Sequence, residues 1–435
     1  MKRLILLIIT CYGLLSGYAN TDTASDSLLQ VLQTLPHDTT RLSTLNDIIK
    51  IEQNNYKCIQ YSDSLMQEAL KLKNDKYASL AAYYHLLYYY NRCEQDSVAK
   101  WIVKMEPLVQ KSGLWDYFFD ARRFQIDLYT FTEQYELAIS EANKMKQKAL
   151  DIDNNRGTVA AYQCLSNAYI GSQRWDEGLK ALEEAYRLLP KNGNAVVHIS
   201  VLSQLISVTK EMKDNYRQLK YLQELENVLR KFIIDNLSLK DGFADVFIFN
   251  EIFYAHYYLN TNQPQIAYSH IEKSKKYLTE NTYFMYKVLY YDIYAKYYQS
   301  IKQYQQASAY IDTTLTMLKK DFTSDYAEQL LKQAKIWVEA GDNNRATTLY
   351  QQALAIKDSA AMALSNTQME QIKKSYNLDK IELEQQKQTN QIRLISLIVI
   401  SAILIVLFIS LFRLSKIRKA LKYSCLLYTS DAADD

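Results

Sequence analysis

Residues 159–190 read VAAYQCLSNAYIGSQRWDEGLKALEEAYRLLP. With Val159 as position 1, Tyr162, Leu165, Ser166 and Tyr169 occupy positions 4, 7, 8 and 11. That is the i, i+3, i+4, i+7 stripe of one helix face. Gly178, Leu182, Ala185 and Pro190 occupy positions 20, 24, 27 and 32 and describe a second helix, closed by proline. Ser166 and Gly178 are small where the two stripes meet, which lets the helix axes approach closely. The spacing predicts a helical hairpin.

The signature recurs on both sides. Tyr291, Tyr294, Ala295, Tyr298, Ala307 and Ile311 repeat it. So do Leu330, Ala334, Trp337, Ala346, Tyr350 and Ala353, and Tyr254, Ala255, Tyr258, Ala267 and Ile271. Fainter units centre on Cys58, Ala99, Ala138 and Leu219 as equivalents of Gly178. The anchors lie roughly forty residues apart, except for a wider interval between Leu219 and Ala267. That interval predicts an insertion near 230–245, with a longer helix around 232–239. The unit resembles the tetratricopeptide repeat (TPR) at all eight of its signature positions, although the standard repeat has about 34 residues. The resemblance implies an all-α fold: a TPR-like helical-hairpin solenoid of about eight hairpins over residues 20–358, each hairpin burying its neighbour's apolar face.

Composition agrees. A chain of 435 residues with only 9 Gly and 4 Pro lacks the turn residues of a parallel α/β enzyme or a β-sandwich. The aromatic residues are 37 Tyr against 13 Phe and 4 Trp. Tyrosine suits a thin two-layer core, because its ring is apolar while its hydroxyl reaches water at the edge.

The flanks predict a topology. Residues 1–19 have the basic start (Lys2, Arg3), the short apolar stretch and the small residues Gly17 and Ala19 of a cleaved signal peptide. Cys11 lies inside that apolar stretch after Thr10, which argues against a lipoprotein anchor. Residues 394–412 are uncharged and rich in Leu, Ile and Val, enough to span a bilayer core of about 30 Å as one transmembrane helix. Arg413, Lys416, Arg418, Lys419 and Lys422 follow with no acid among them, so 413–424 reads as a basic cytoplasmic linker. These segments explain the net charge of +3 as topology and leave no basic surface for nucleic acid. Between solenoid and membrane, 359–393 reads as one polar juxtamembrane helix. Met362, Met369, Ile372, Tyr376 and Leu383 follow a seven-residue grid, while Ser365, Asp379 and Gln386 break it. A homodimeric coiled coil and a monomeric connecting helix are both consistent with this pattern. Residues 425–435, CLLYTSDAADD, resemble the translated read-through of a transposase-loaded sequencing adapter. On that reading the natural chain continues past about Ser424.

No Walker loop, GxGxxG, HExxH or GxSxG motif is present, and no enzyme activity, cofactor or metal is expected. His37, His85, His198, His256 and His270 show no metal-ligand spacing. Cys58 and Cys93 could bridge neighbouring repeats, but Cys58, Cys93 and Cys164 fit better as small packing residues. A solenoid's usual work is recognition on its concave face, to which first-helix positions 2, 5, 9 and 12 point. Here those positions hold Tyr84, Tyr88, Asn91, Arg123, Asp127, Gln163, Asn167, His256, Asp292, Lys296, Gln299 and Lys335. Their mix of aromatic, amide and charged groups suits a peptide or protein partner in the periplasm.

The whole arrangement resembles a family of Bacteroidetes-type membrane regulators with signal peptide, TPR array, single transmembrane helix and cytoplasmic regulatory domain. Residues 26–33 (DSLLQVLQ) and 37–42 (HDTTRL) look like the start of such arrays, and 414–421 (LSKIRKAL) like the linker after the membrane. The resemblance implies a single-pass inner-membrane sensor, with its N-terminal domain periplasmic and its C-terminus cytoplasmic, acting as a transcriptional regulator. A non-signalling envelope scaffold and the sensor half of a truncated histidine kinase are the alternatives.

Overall fold

The computed structural model describes residues 21–431 except 54, 191–193, 236–242 and 319–322. The signal-peptide expectation for 1–19 lies outside the described residues. Every assigned element is a helix. A first helix, α1 (Thr21–Thr34), precedes eight pairs. The pairs are α2 (Thr39–Ile51) with α3 (Lys57–Lys71), α4 (Asp75–Tyr90) with α5 (Gln95–Ser112), and α6 (Trp115–Phe131) with α7 (Tyr135–Asp151). Then come α8 (Asn155–Gly171) with α9 (Trp175–Leu188), α10 (Ala195–Glu211) with α11 (Asn215–Asp235), and α12 (Ala244–Asn260) with α13 (Pro264–Lys275). Last are α14 (Phe284–Ser300) with α15 (Tyr304–Leu318), and α16 (Thr323–Glu339) with the beginning of α17 (Asn343–Asp431). Two compact units divide at Ala360, so the array lies in the first and the rest of α17 forms the second.

One turn, repeated, makes seven of these pairs. Cys93, Glu133, Gln173, Lys213, Asn262 and Lys302 all have φ between +57° and +66°, and Gly341 has φ +83°. Each stands after the C-terminus of a first helix. The next residue's amide reaches back to the helix, as in Glu94 N to Tyr89 O at 3.1 Å, Arg174 N to Tyr169 O at 2.8 Å and Gln303 N to Tyr298 O at 2.9 Å. This satisfies carbonyls that a helix end would otherwise orphan. Six of the seven left-handed positions are not glycine, which is how the chain makes tight turns with so few glycines.

The turn also corrects two anchors. The residue five places after each left-handed position is the close-approach residue, and its amide bonds the carbonyl that opens the helix. By that register the anchors are Val98 and Gln218, both 0 % exposed, rather than their half-buried neighbours Ala99 and Leu219. The long interval after Gln218 contains α11, the 21-residue helix Asn215–Asp235. The expected extension to 239 lies outside the described residues beyond Asp235.

Packing follows the sequence stripe. Leu165, Ser166, Leu182 and Ala185 are buried, and a methyl on Gly178 would lie 2.7 Å from Ile170 Cγ1 and 3.3 Å from the Ser166 carbonyl oxygen. First helices of successive hairpins also touch, as α4 does α6 and α6 does α8. Four apolar clusters follow one another along the chain, from Leu32 to Tyr88, Ala82 to Ala181, Val159 to Leu318 and Ala295 to Ala353. The tyrosines pack in these layers, but several hydroxyls end on protein acceptors and not in water. Tyr84 donates to Asn46 (3.1 Å), Tyr254 to Glu226 (3.0 Å), Tyr294 to Glu272 (2.6 Å) and Tyr186 to Glu224. A buried hydroxyl needs such a partner.

Residues 394–412 are helical, with several side chains between Ile398 and Ile409 outside the described residues. Among the described residues no helix is long and apolar enough to cross a membrane. Side chains 363–386 also lie outside the description, and with them most of the seven-residue grid. Cys58 and Cys164 are buried, Cys93 is exposed in its turn, and none of the three is bridged.

Candidate functional site

The twelve inner-face candidates fall into two groups. Those on α4, α6 and α8 are mostly occupied by neighbouring side chains of the array. Tyr84 and Tyr88 are buried, and Arg92 lies 3.4 Å over the Tyr88 ring, while Asn91 is exposed at the end of α4. Arg123 sits 4.0 Å from the Asp120 carboxylate. Burial opposes its charge, but Asp120 and Asp127 hold it cationic. Asp127 is 1 % exposed and its Oδ2 has no hydrogen-bond partner. Burial pushes its carboxyl up to about 6, against the pull of Arg123 and a hydrogen bond from Asn167. Gln163 Nε2 donates to Gln204 Oε1 (2.8 Å) and Ser200 Oγ (3.0 Å), and Gln204 Nε2 donates to Asn167 Oδ1 (3.3 Å). These amides lock α8 to α10. They are partly a structural seam, since buried polar groups require partners.

The second group converges on a cavity of about 520 Å³ between α10, α12, α14 and α16. It contains the candidates His256, Asp292, Lys296, Gln299 and Lys335, with Lys210, Lys213 and Lys332 added and an apolar part made by Ala295, Ile311 and Ile336. Lys332 Nζ is 2.5 Å from Asp292 Oδ1, and Lys210 Nζ is 2.7 Å from Glu211 Oε1. Burial alone would raise the Asp292 carboxyl, but Lys332 and Lys210 hold it below its ordinary range. Lys296 Nζ donates to Asn260 Oδ1 (2.6 Å) and lies 3.4 Å from His256 Nδ1. Burial, then repulsion from Lys210 and Lys332, brings the Lys296 ammonium down to about 8. Burial and the facing lysines Lys296, Lys210 and Lys332 keep His256 neutral by pushing it well below its usual value. A neutral imidazole accepts at one ring nitrogen, and Nδ1 is the one that faces Lys296.

Sequence reasoning missed Lys210, Lys332 and Asn260. The period contained part of the signal. Asp292 pairs with Lys332 and Gln299 with Glu339 (2.8 Å), each one repeat later in the same register. No cluster of His, Cys, Asp or Glu suited to a metal ion occurs among the described residues.

No family model matches the sequence, and no curated protein matches it. Solved structures do. A Rap protein complexed with competence and sporulation factor aligns with 83 % of this chain and 98 % of its own, at 10 % identity and a TM-score of 0.51. Aspartyl phosphate phosphatase F from Bacillus subtilis covers 82 % of this chain and 93 % of its own (12 % identity, TM-score 0.49). A STAND protein with a TPR sensor from Pyrococcus horikoshii covers 79 % of this chain and 53 % of its own (15 % identity, TM-score 0.48). The hairpins, their repeated turn and the first of these likenesses define an all-α TPR-like helical solenoid.

Proposed function

We propose that this chain is a membrane-anchored recognition solenoid. Its periplasmic array binds a peptide or protein, and the segment 359–393 passes the bound state to the cytoplasmic side as input to transcriptional regulation. The observation that carries the reading is the array, whose successive hairpins each contribute side chains to one face. The Rap protein, which has a fold of this kind, is complexed with competence and sporulation factor. Polar and aromatic candidates at repeated positions suit an extended partner.

The membrane part of the reading is supported by 394–412. The stretch is uncharged, and Leu394, Leu397, Leu404 and Leu411 are exposed on a helical backbone. Five basic residues follow it, as expected for the cytoplasmic side. Deleting codons 40–356 in the genome and comparing transcriptomes tests the function. The deletion strain is expected to match the gene knockout and to differ from the parent. Transcriptomes unchanged in both strains, with stable envelope crosslinks, would leave a scaffold without regulatory output.

A further inference from the structure

The polar inner face opens locally. Gln163, Gln204 and Asn167 bridge α8 and α10, whereas beyond them the side chains part around the cavity of about 520 Å³. That volume is in the range of small-molecule sites, about 300–1,000 Å³. Its charge is unbalanced. The carboxylates of Glu211 and Asp292 are each engaged by one lysine, Lys210 and Lys332. Lys213, Lys296 and Lys335 line the same space and form no ion pair among the described residues. Lys296 is held in place by Asn260 and by the neutral ring of His256. A fixed, partly desolvated ammonium interacts more strongly with an anion than one in water does. Ala295, Ile311 and Ile336 supply the apolar wall that sharpens this effect.

We propose that this cavity is a binding site for a small polyanion, a compound carrying two or more carboxylate or phosphate groups. One anionic group meets Lys296, and a second reaches Lys335 and Lys213 at the rim. The site shares His256, Asp292, Lys296, Gln299 and Lys335 with the face offered to a peptide or protein partner, but a small ligand there does not depend on that reading. Its size, and the closed amide bridge beside it, favour a compact ligand over an extended chain.

Calorimetric titration of the full chain with citrate and with inorganic pyrophosphate tests the proposal. It is run at about 0.15 M salt, where surface charges are screened beyond about 8 Å. Saturable one-site binding of either probe is expected. Citrate alone would indicate a polycarboxylate, pyrophosphate alone a phosphate compound, and both the shared chemistry. Lys335→Gln, at an exposed position, and Lys296→Met, which removes a charge that burial disfavours, should each weaken binding by about tenfold or more while the chain still melts cooperatively. Should Lys296→Met fail to fold, Lys335→Gln carries the comparison. The proposal is overturned by absence of binding for both probes, or by binding that neither substitution weakens. It is also overturned if hexaglutamate binds while both small probes do not, which would make the cavity part of a peptide groove.

Discussion

Gly157 has no room for a methyl group. A Cβ there would lie 2.4 Å from Phe119 Cδ2 and 2.6 Å from Cγ, and Phe119 is 1 % exposed. The ring has nowhere to go, so α8 approaches α6 this closely only because position 157 is bare. Gly157→Ala is expected to destabilise by about 1–3 kcal/mol, the usual cost of overpacking a filled core. Urea unfolding checks it, and an unchanged midpoint would mean that Phe119 can move. The opposite change is expected at Gln173, where φ is +66°. A left-handed L-residue costs roughly 1–2 kcal/mol, while glycine returns roughly 0.5–1 kcal/mol through the unfolded chain. Gln173→Gly should therefore stabilise by about 0.5–1 kcal/mol in the same measurement. A loss would show that the side chain contributes more than the backbone strain costs.

Within each element, the sequence showed which residues share a face but not how closely the faces of successive helices meet. Positions 2, 5, 9 and 12 did place Asp127, Gln163 and Asn167 on one seam. Their burial depends on α6, α8 and α10 packing side by side, a contact between residues about one repeat apart that no local period encodes. The two shifted anchors have a similar cause. Ala99 and Leu219 fit a rule about residue size and apolarity, whereas Val98 and Gln218 are selected by the turn geometry five residues earlier. The seam predicts a pH effect. The folded-state carboxyl of Asp127 titrates near 6, above the usual Asp value of about 3.9 in unfolded chains. A raised pKa means that stability is fully present below about pH 4 and is lost as pH rises through about 6. Asp127→Asn should match the parent near pH 4 and exceed it near pH 7.5, by on the order of 2–3 kcal/mol. Parallel stability profiles from pH 4 to 7.5 would show that Arg123 already compensates the charge.

Across the array, stability is a sum of hairpins and the contacts between neighbours. Those contacts repeat with the period. Asn154 to Asp116 (2.9 Å), Arg174 to Glu136 (3.2 Å), Gln163 to Gln204 (2.8 Å) and Lys332 to Asp292 (2.5 Å) each join one hairpin to the next. Their strength is uneven. The central layer contains Ile199, Leu202, Leu205, Phe249, Ile252 and Ile293, all at most 1 % exposed, with apolar neighbours on both sides. The layer from Ala295 to Ala353 has three alanines among its few buried residues, Ala295, Ala307 and Ala353, and packs on one preceding layer. Less apolar area leaves water on folding there, at about 25 cal/mol per Å². Local opening is therefore expected to begin at α16 and the start of α17, well before α10 or α12. Native-state hydrogen exchange should show amides of 323–339 at least about tenfold less protected than those of 195–211, a difference of about 1.4 kcal/mol. Equal protection throughout would show that the array opens as one cooperative body, in which a ligand bound at either end is felt along its whole length.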